Sequence, residues 1–276
     1  MNDDKTLYIS DLDGTLLNKN AELSDYTRES LRALLTDGLN FSIATARTLV
    51  SAAKVLEGLA FRTPIVLMNG VLIYDTEQEN YVKIHTIQPE AVSSVIRVLR
   101  EFKITGFIYE LKNGELMTYH ESPEEEPLRD FMQERIIRYN KSFKHTDSFA
   151  QLPQDNIIYL TLLDTHERLA PVCDELASIS GTDLTFYQDI YSRDLWYLEL
   201  FSSGASKQNA VNYLRTNYGF ERIVGFGDNL NDLPMFAACD LRVAVKNAKK
   251  EVQAAADIIC GSNAEDGVAK WLTKEI

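Results

Sequence analysis

Short apolar runs of strand type alternate with stretches of helical spacing at both ends of the chain, and this alternation restricts the fold more than any other feature. Leu7-Tyr8-Ile9 reads as a strand, and the segment after Ser24 sets Leu31, Leu34 and Leu35 at helical spacing with Gly38 as its stop. Phe41 to Ala44 is a second strand, Leu49 to Leu59 a helix and Pro64 to Met68 a third strand. Such a βαβαβ run implies a parallel sheet. After Asn69-Gly70 the pattern changes to hairpins, Val71 to Tyr74 with Tyr81 to Ile84, and Gly106 to Tyr119 turning at Asn113-Gly114. Helices are expected from Pro89 to Phe102, from Pro123 to Tyr139 and after Thr165, with further strands at Ile157 to Leu163 and Leu184 to Tyr187. Tyr197 to Phe201, Ser206 to Tyr218, Ile223 to Phe226, Leu241 to Val245 and Ile258-Ile259 then resume the βα alternation. The simplest organisation is one discontinuous α/β core, residues 1–82 and 191–276, interrupted by an α+β insert over 83–190. With 276 residues, 45% of them hydrophobic, the chain can bury a core of that size.

Composition removes several classes of function. A net charge of −13 opposes a surface that tracks nucleic-acid phosphates, although a metal ion and a few local cations can still reverse the field at one small site. Cys173, Cys239 and Cys260 are far apart and lack metal-type spacing, which reads as buried thiols in a reducing compartment. The N-terminus has no charged-then-apolar leader and no apolar run reaches a membrane span, so a cytoplasmic protein without a membrane partner is expected.

Chemistry is concentrated at the ends of expected strands, where open parallel sheets place their ligands. Asp11-Leu12-Asp13-Gly14-Thr15 follows the first strand at once, and Gly14 permits a turn that sends both carboxylates beyond the strand. Taken alone, such a pair is also a solvated turn. Gly227-Asp228-Asn229-Leu230-Asn231-Asp232 follows a later strand, where Asp228, Asn229 and Asn231 are equally suited to capping the next helix. Together the two motifs supply three carboxylates at strand ends, an oxygen-ligand site suited to Mg²⁺. Thr45 ends the second strand and Lys207 opens a helix, a hydroxyl and an ammonium suited to phosphate.

Taken together, DLDGTL, Thr45 in IATAR, Lys207 in SSGASK and GDNLND resemble the four ordered motifs of the haloacid dehalogenase superfamily. The position of the insert, the NG after the third strand and VKNAKKEV are similar to its Cof-like subclass IIB. The resemblance implies a Rossmann-like α/β core with a parallel sheet and an inserted α+β cap. It implies Asp11 as the nucleophile that becomes phosphorylated and Asp13 as the acid that protonates the leaving oxygen and later activates water. It places Mg²⁺ on Asp11, the backbone carbonyl of Asp13 and Asp228. Phosphate falls to Thr45, Lys207, Asn231 and the backbone N–H groups of Leu12 and Ala46, with Asp232 orienting Lys207 or a metal-bound water. Two departures stand out. Ala46 occupies a position where relatives usually carry Gly, so a positive φ there would be costly, and VAVKNA replaces the more usual VAMGNA, with no stated consequence for Lys246.

The function expected is Mg²⁺-dependent hydrolysis of a small phosphate monoester, such as a sugar phosphate, a nucleotide or a phosphorylated cofactor, with the insert acting as a lid. Hinges for it are expected around 82 to 86 and 188 to 196. Phosphoryl transfer to another alcohol is an alternative, as is a non-catalytic phosphate-binding or regulatory protein, against which the pair Asp11 and Asp13 argues. A nicotinamide enzyme lacks its motif, since Gly225-x-Gly227 has no third small residue. His85, His120, His145 and His166 are scattered through the insert and read as surface or capping residues. Trp196, Tyr187 and Tyr191 read mainly as packing.

Overall fold

The structure, a computed structural model, describes residues 5–121, 126–189 and 194–276. Glu124 and Glu125, the expected helix start at Pro123, Tyr191 and part of the expected hinge over 188 to 196 lie outside the described residues. The chain forms two compact units, one running up to Lys83 and resuming over Ser206–Ile276, the other Ile84–Ala205.

The first unit begins with β1 (Thr6–Ser10), α1 (Asp25–Thr36), β2 (Phe41–Ile43), α2 (Leu49–Val55), β3 (Ile65–Leu67), β4 (Leu72–Asp75) and β5 (Asn80–Ile84). The second holds α3 (Pro89–Phe102), β6 (Phe107–Lys112), β7 (Glu115–His120), α4 (Glu126–Tyr139), β8 (Lys144–His145), β9 (Ile157–Asp164), α5 (His166–Leu176), β10 (Thr182–Gln188) and β11 (Trp196–Ser202). The first unit then resumes with α6 (Lys207–Tyr218), β12 (Arg222–Gly227), α7 (Leu233–Ala237), β13 (Leu241–Val245), α8 (Lys250–Ala255), β14 (Ile258–Cys260) and α9 (Gly267–Glu275).

A parallel sheet of order β14-β13-β12-β1-β2 forms the centre of the first unit. Leu7, Ile9, Ile223, Phe226 and Val243 to Val245 are fully buried, as expected of strands covered on both faces. From the adjacent pair β1 and β12 the chain winds outward in opposite directions. The crevice beyond their carboxyl ends is therefore the ligand position of an open parallel sheet. The expected third parallel strand departs from this arrangement. β3 pairs antiparallel with β4 in a separate sheet, β3-β4-β5, and joins the main sheet through one parallel bridge, Ala44 to Val66.

The second unit is built on a sheet of order β10-β11-β9-β6-β7-β8. Helix α3 starts with Pro89 at its first turn and buries Val92, Val95, Ile96 and Leu99, spaced one face apart, while α5 buries Leu169, Val172 and Leu176. Both helical faces pack with Ile108, Leu160, Leu162, Leu198 and Leu200 in one core. Asn113 and Gly114 take φ +53° and +81°, the conformation of a two-residue hairpin between β6 and β7. Trp196 packs against Phe186 with ring centroids 4.8 Å apart, and Tyr187 stacks on Tyr197 at 5.4 Å.

One sequence expectation is corrected here. β11 does not return to the parallel sheet and the core does not resume at 191. The strand pairs antiparallel with both β9 and β10, and the compact insert extends to Ala205. Leu198 and Leu200 turn to the insert's core, and Tyr197, Glu199 and Phe201 alternate with them on the other face. Glu199 and Phe201 are buried as well, so the run resembles a strand covered on both faces, and its antiparallel pairing assigns it to the insert. Among the described residues, no helix is long and apolar enough to cross a membrane.

Close backbone approach fixes where α6 begins. Gly70 has φ +100°, and a Cβ added there would lie 2.3 Å from the carbonyl oxygen of Ser206, whose hydroxyl caps α6 by accepting the Asn209 N–H at 3.0 Å. Gly70→Ala is expected to lower unfolding stability by about 2 kcal/mol through strain and displacement of this helix start. Urea denaturation reads the change, and an unaltered midpoint would show that the contact relaxes freely.

Candidate active site

Asp11 stands one residue beyond β1, its N–H donating to the Phe226 carbonyl of neighbouring β12 at 2.9 Å. Sheet register thereby fixes the backbone of the residue. Leu12 to Leu16 then make a tight turn closed by the Leu17 N–H on the Leu12 carbonyl at 2.9 Å, with Gly14 at φ +83°. A Cβ at Gly14 would meet Asp228 Oδ2 at 2.4 Å, so only glycine lets the two acidic loops approach this closely. The Thr15 hydroxyl donates to Asp228 Oδ1 at 2.7 Å. Asn247 donates to the Gly14 carbonyl at 2.7 Å, and the Lys249 N–H donates to the Asp228 carbonyl at 2.9 Å, so the VKNAK segment braces both loops. Lys246 is exposed.

Lys207, the first residue of α6, is 2% exposed and places its Nζ 2.7 Å from Asp11 Oδ1 and 2.7 Å from Asp232 Oδ1. Asp232 is fully buried, and its other oxygen accepts the backbone N–H groups of Asp228 at 2.9 Å and Asn229 at 3.0 Å. The carboxylate therefore ties the ammonium to the loop that carries Asp228.

Thr45 is buried, with its N–H on the Val66 carbonyl and its own carbonyl accepting the Asn69 N–H. Its hydroxyl accepts the Arg47 N–H at 3.2 Å. Ala46 is exposed and is not among the residues with positive φ, so the Gly-to-Ala departure strains nothing. Asn231 reaches toward Asn69, Nδ2 to Oδ1 at 3.4 Å, and Asn69 is itself buried at φ +55°.

Asp13 differs sharply from Asp11. Its side chain is 45% exposed, and the guanidinium of Arg47 grips it in a fork, Nε to Oδ2 at 2.7 Å and Nη2 to Oδ1 at 2.6 Å. Sequence reasoning did not single out Arg47, Thr15, Asn69 or Asn247. Arg47 and Thr15 lie inside the quoted motifs, and only contacts across more than thirty residues or more than two hundred reveal what they hold.

Charge is not balanced in this cluster. Burial raises the Asp11 carboxyl well above its ordinary value; Lys207 pulls it down while Asp232, Asp228 and Asp13 push it further up. For Lys207, burial disfavours the ammonium, but Asp11 and Asp232 outweigh it and hold the group above its ordinary value. Asp228 is pushed up to about 6, chiefly by burial, against the pull of the Thr15 hydroxyl. In formal charge, four carboxylates face two cations, Lys207 and Arg47, and two negative charges remain in excess. Carboxylate oxygens of Asp11, Asp228 and Asp232 lie within 4.8 Å of one another. Asp232 already accepts three hydrogen bonds, so Asp11 and Asp228 are the freer carboxylates and could hold a divalent cation with oxygen donors of the hard type. His85, His120, His145 and His166 join no group of three metal-type ligands among the described residues.

The profile of haloacid dehalogenase-like hydrolases matches residues 8–272. A 5-amino-6-(5-phospho-D-ribitylamino)uracil phosphatase of Bacillus subtilis, YitU, is 25% identical over 95% of this chain and 94% of its own. The pyridoxal phosphate phosphatase YbhA of Escherichia coli is 27% identical, covering 95% of each chain. The crystal structure of TM0651 from Thermotoga maritima superposes with a TM-score of 0.78 at 28% identity, over 97% of this chain and 96% of that one.

A raised folded-state carboxyl pKa stabilises the metal-free fold at low pH, and that contribution is lost as pH rises from an ordinary 3.8 through about 6. A cation held at Asp11 and Asp228 would remove the loss. The rise in melting temperature on replacing EDTA with MgCl₂ is therefore expected to grow as pH increases across this window, and to shrink in Asp228→Asn. An equal rise at every pH would disconnect these carboxylates from the ion.

Proposed function

The chain belongs to the haloacid dehalogenase-like hydrolase family and is a phosphatase; we propose that it hydrolyses small phosphate monoesters through a phosphorylated Asp11, with Mg²⁺ as its metal. The observation that carries this reading is the convergence of Asp11, Asp228 and the Lys207 ammonium beyond two adjacent parallel strands. The named relatives act, by their names, on a phosphorylated ribitylaminouracil and on pyridoxal phosphate, which supports a small phosphorylated metabolite as the substrate class.

In the proposed reaction an Asp11 carboxylate oxygen attacks phosphorus, and the bond from phosphorus to the ester oxygen breaks. Asp13 gives its proton to that departing oxygen. In the second half Asp13 takes a proton from water as the water oxygen attacks phosphorus; the acyl phosphate bond breaks, freeing inorganic phosphate and restoring Asp11. Lys207, oriented by Asp232, holds charge on the phosphate side of Asp11, with Thr45, Asn231 and the backbone N–H groups of Leu12 and Ala46 as further donors. Asp11, Asp228 and the Asp13 backbone carbonyl would hold Mg²⁺, which when bound would supply positive charge to offset repulsion between an anionic nucleophile and an anionic ester. The insert over Ile84–Ala205 is proposed as the unit that selects the leaving group.

Asp11→Asn tests this directly with p-nitrophenyl phosphate, because an amide is not a competent nucleophile. Turnover is expected to fall on the order of 10³-fold or more with folding retained, and EDTA is expected to silence the unaltered enzyme. Acid quenching during turnover should trap phosphate on the unaltered protein only. Near-normal rates in pure Asp11→Asn would reject the assignment.

A further inference from the structure

Arg47 is anchored more firmly than a surface arginine. Its N–H donates to the Thr45 hydroxyl at 3.2 Å, and its carbonyl accepts the Met68 N–H at 3.1 Å, so the backbone is fixed on both sides. Its Nη1 points at the Ser51 carbonyl in the first turn of α2, at 3.5 Å. The remaining edge of the guanidinium, Nε and Nη2, takes both oxygens of Asp13 at 2.7 and 2.6 Å. Only 12% of the Arg47 side chain is exposed, against 45% for Asp13. A half-exposed carboxylate on a turn would otherwise sample several rotamers, and a bidentate fork restricts it to one plane and one direction.

We propose that Arg47 is a positioning residue for the reaction: it holds the ionised Asp13 by both oxygens and, when Asp13 is protonated, keeps one oxygen while the other carries the proton toward the ester oxygen, coupling that orientation to Thr45. The proposal rests on the reading of Asp13 as acid and base. A fork anchored at Thr45, Met68 and Ser51 transmits the geometry of the second strand's loop to the first strand's loop, 34 residues away in sequence. Lysine does not replace it, since an ammonium is a point charge without the planar pair of donors.

The test compares two esters sharing the phosphate and differing in need for proton donation. p-Nitrophenyl phosphate releases a stable phenolate, whereas phenyl phosphate depends more on an acid. kcat/KM reports the step that expels the phenol. In Arg47→Ala, kcat/KM is expected to fall for phenyl phosphate about tenfold further than for p-nitrophenyl phosphate, a fraction of the usual worth of a positioned acid. Arg47→Lys is expected to retain most of that extra loss, and added guanidinium ion to recover part of it in Arg47→Ala. An equal fall for both esters would overturn the proposal and make Arg47 a phosphate ligand; no fall for either would make the pair a surface contact. Asp13→Asn separates failures. If it leaves the ratio of the two esters unaltered, the reading of Asp13 is wrong; if it shifts the ratio and Arg47→Ala does not, only the role of Arg47 is lost. Thermal melting of each variant keeps a folding defect from imitating either result.

Discussion

The ammonium of Lys207, enclosed between Asp11 and Asp232, is the interaction to which the rest of the site answers. Taking a charge out of water costs several kcal/mol unless partners compensate it. Here one cation faces two carboxylates, so it is satisfied more fully than Asp11 is, and the opposite balance on the two groups follows. Lys207 holds its proton tightly while Asp11 is pushed up by burial and by its acidic neighbours. Asp232 escapes the deficit by accepting two backbone N–H groups, and those bonds set the path of the chain at Asp228. A single buried side chain thus connects the helix that carries Lys207 to the loop that carries Asp228.

Close packing of backbone makes that connection possible. β1 and β12 are immediate neighbours, which brings the loops after them within side-chain reach. Gly14 removes the one methylene that would collide with Asp228, and at Gly227 a Cβ would press on Asp232 at 2.7 Å. Both glycines therefore mark where carboxylates must approach main chain, and larger residues there would separate the charges that the cluster exists to gather.

Much of this was legible in the residues because strand-end motifs combine local turn chemistry with catalytic chemistry. DLDGTL and GDNLND announce their acids, and the apolar runs before them announce parallel strands. What escaped were partnerships set by the tertiary fold. Arg47 sits two residues from Thr45 yet meets Asp13 only because β1 and β2 pair in register, Tyr8 with Phe41. β11 escaped for a different reason: a strand next to a βα run is easily joined to it. Its buried run over Leu198 to Phe201 reads like a core strand, and only its pairing with β9 and β10 shows that it belongs to the insert's sheet. The first loop's two acids were seen together, but the contrast between their environments was not.

That contrast supports the proposed division of roles between Asp11 and Asp13. Asp11 is 5% exposed, held by a buried ammonium and placed beside Asp228, so its oxygens belong to a region from which bulk water is largely excluded. Asp13, two residues on, faces outward against a guanidinium at the site's margin. A nucleophile gains from a dry surround in which its approach to phosphorus is not screened by water. A group that must first give a proton to an ester oxygen and then accept one from water gains from standing where water reaches it. The turn through Gly14 separates these surroundings within two residues, so in the proposed mechanism one short loop would furnish both the nucleophile and the acid.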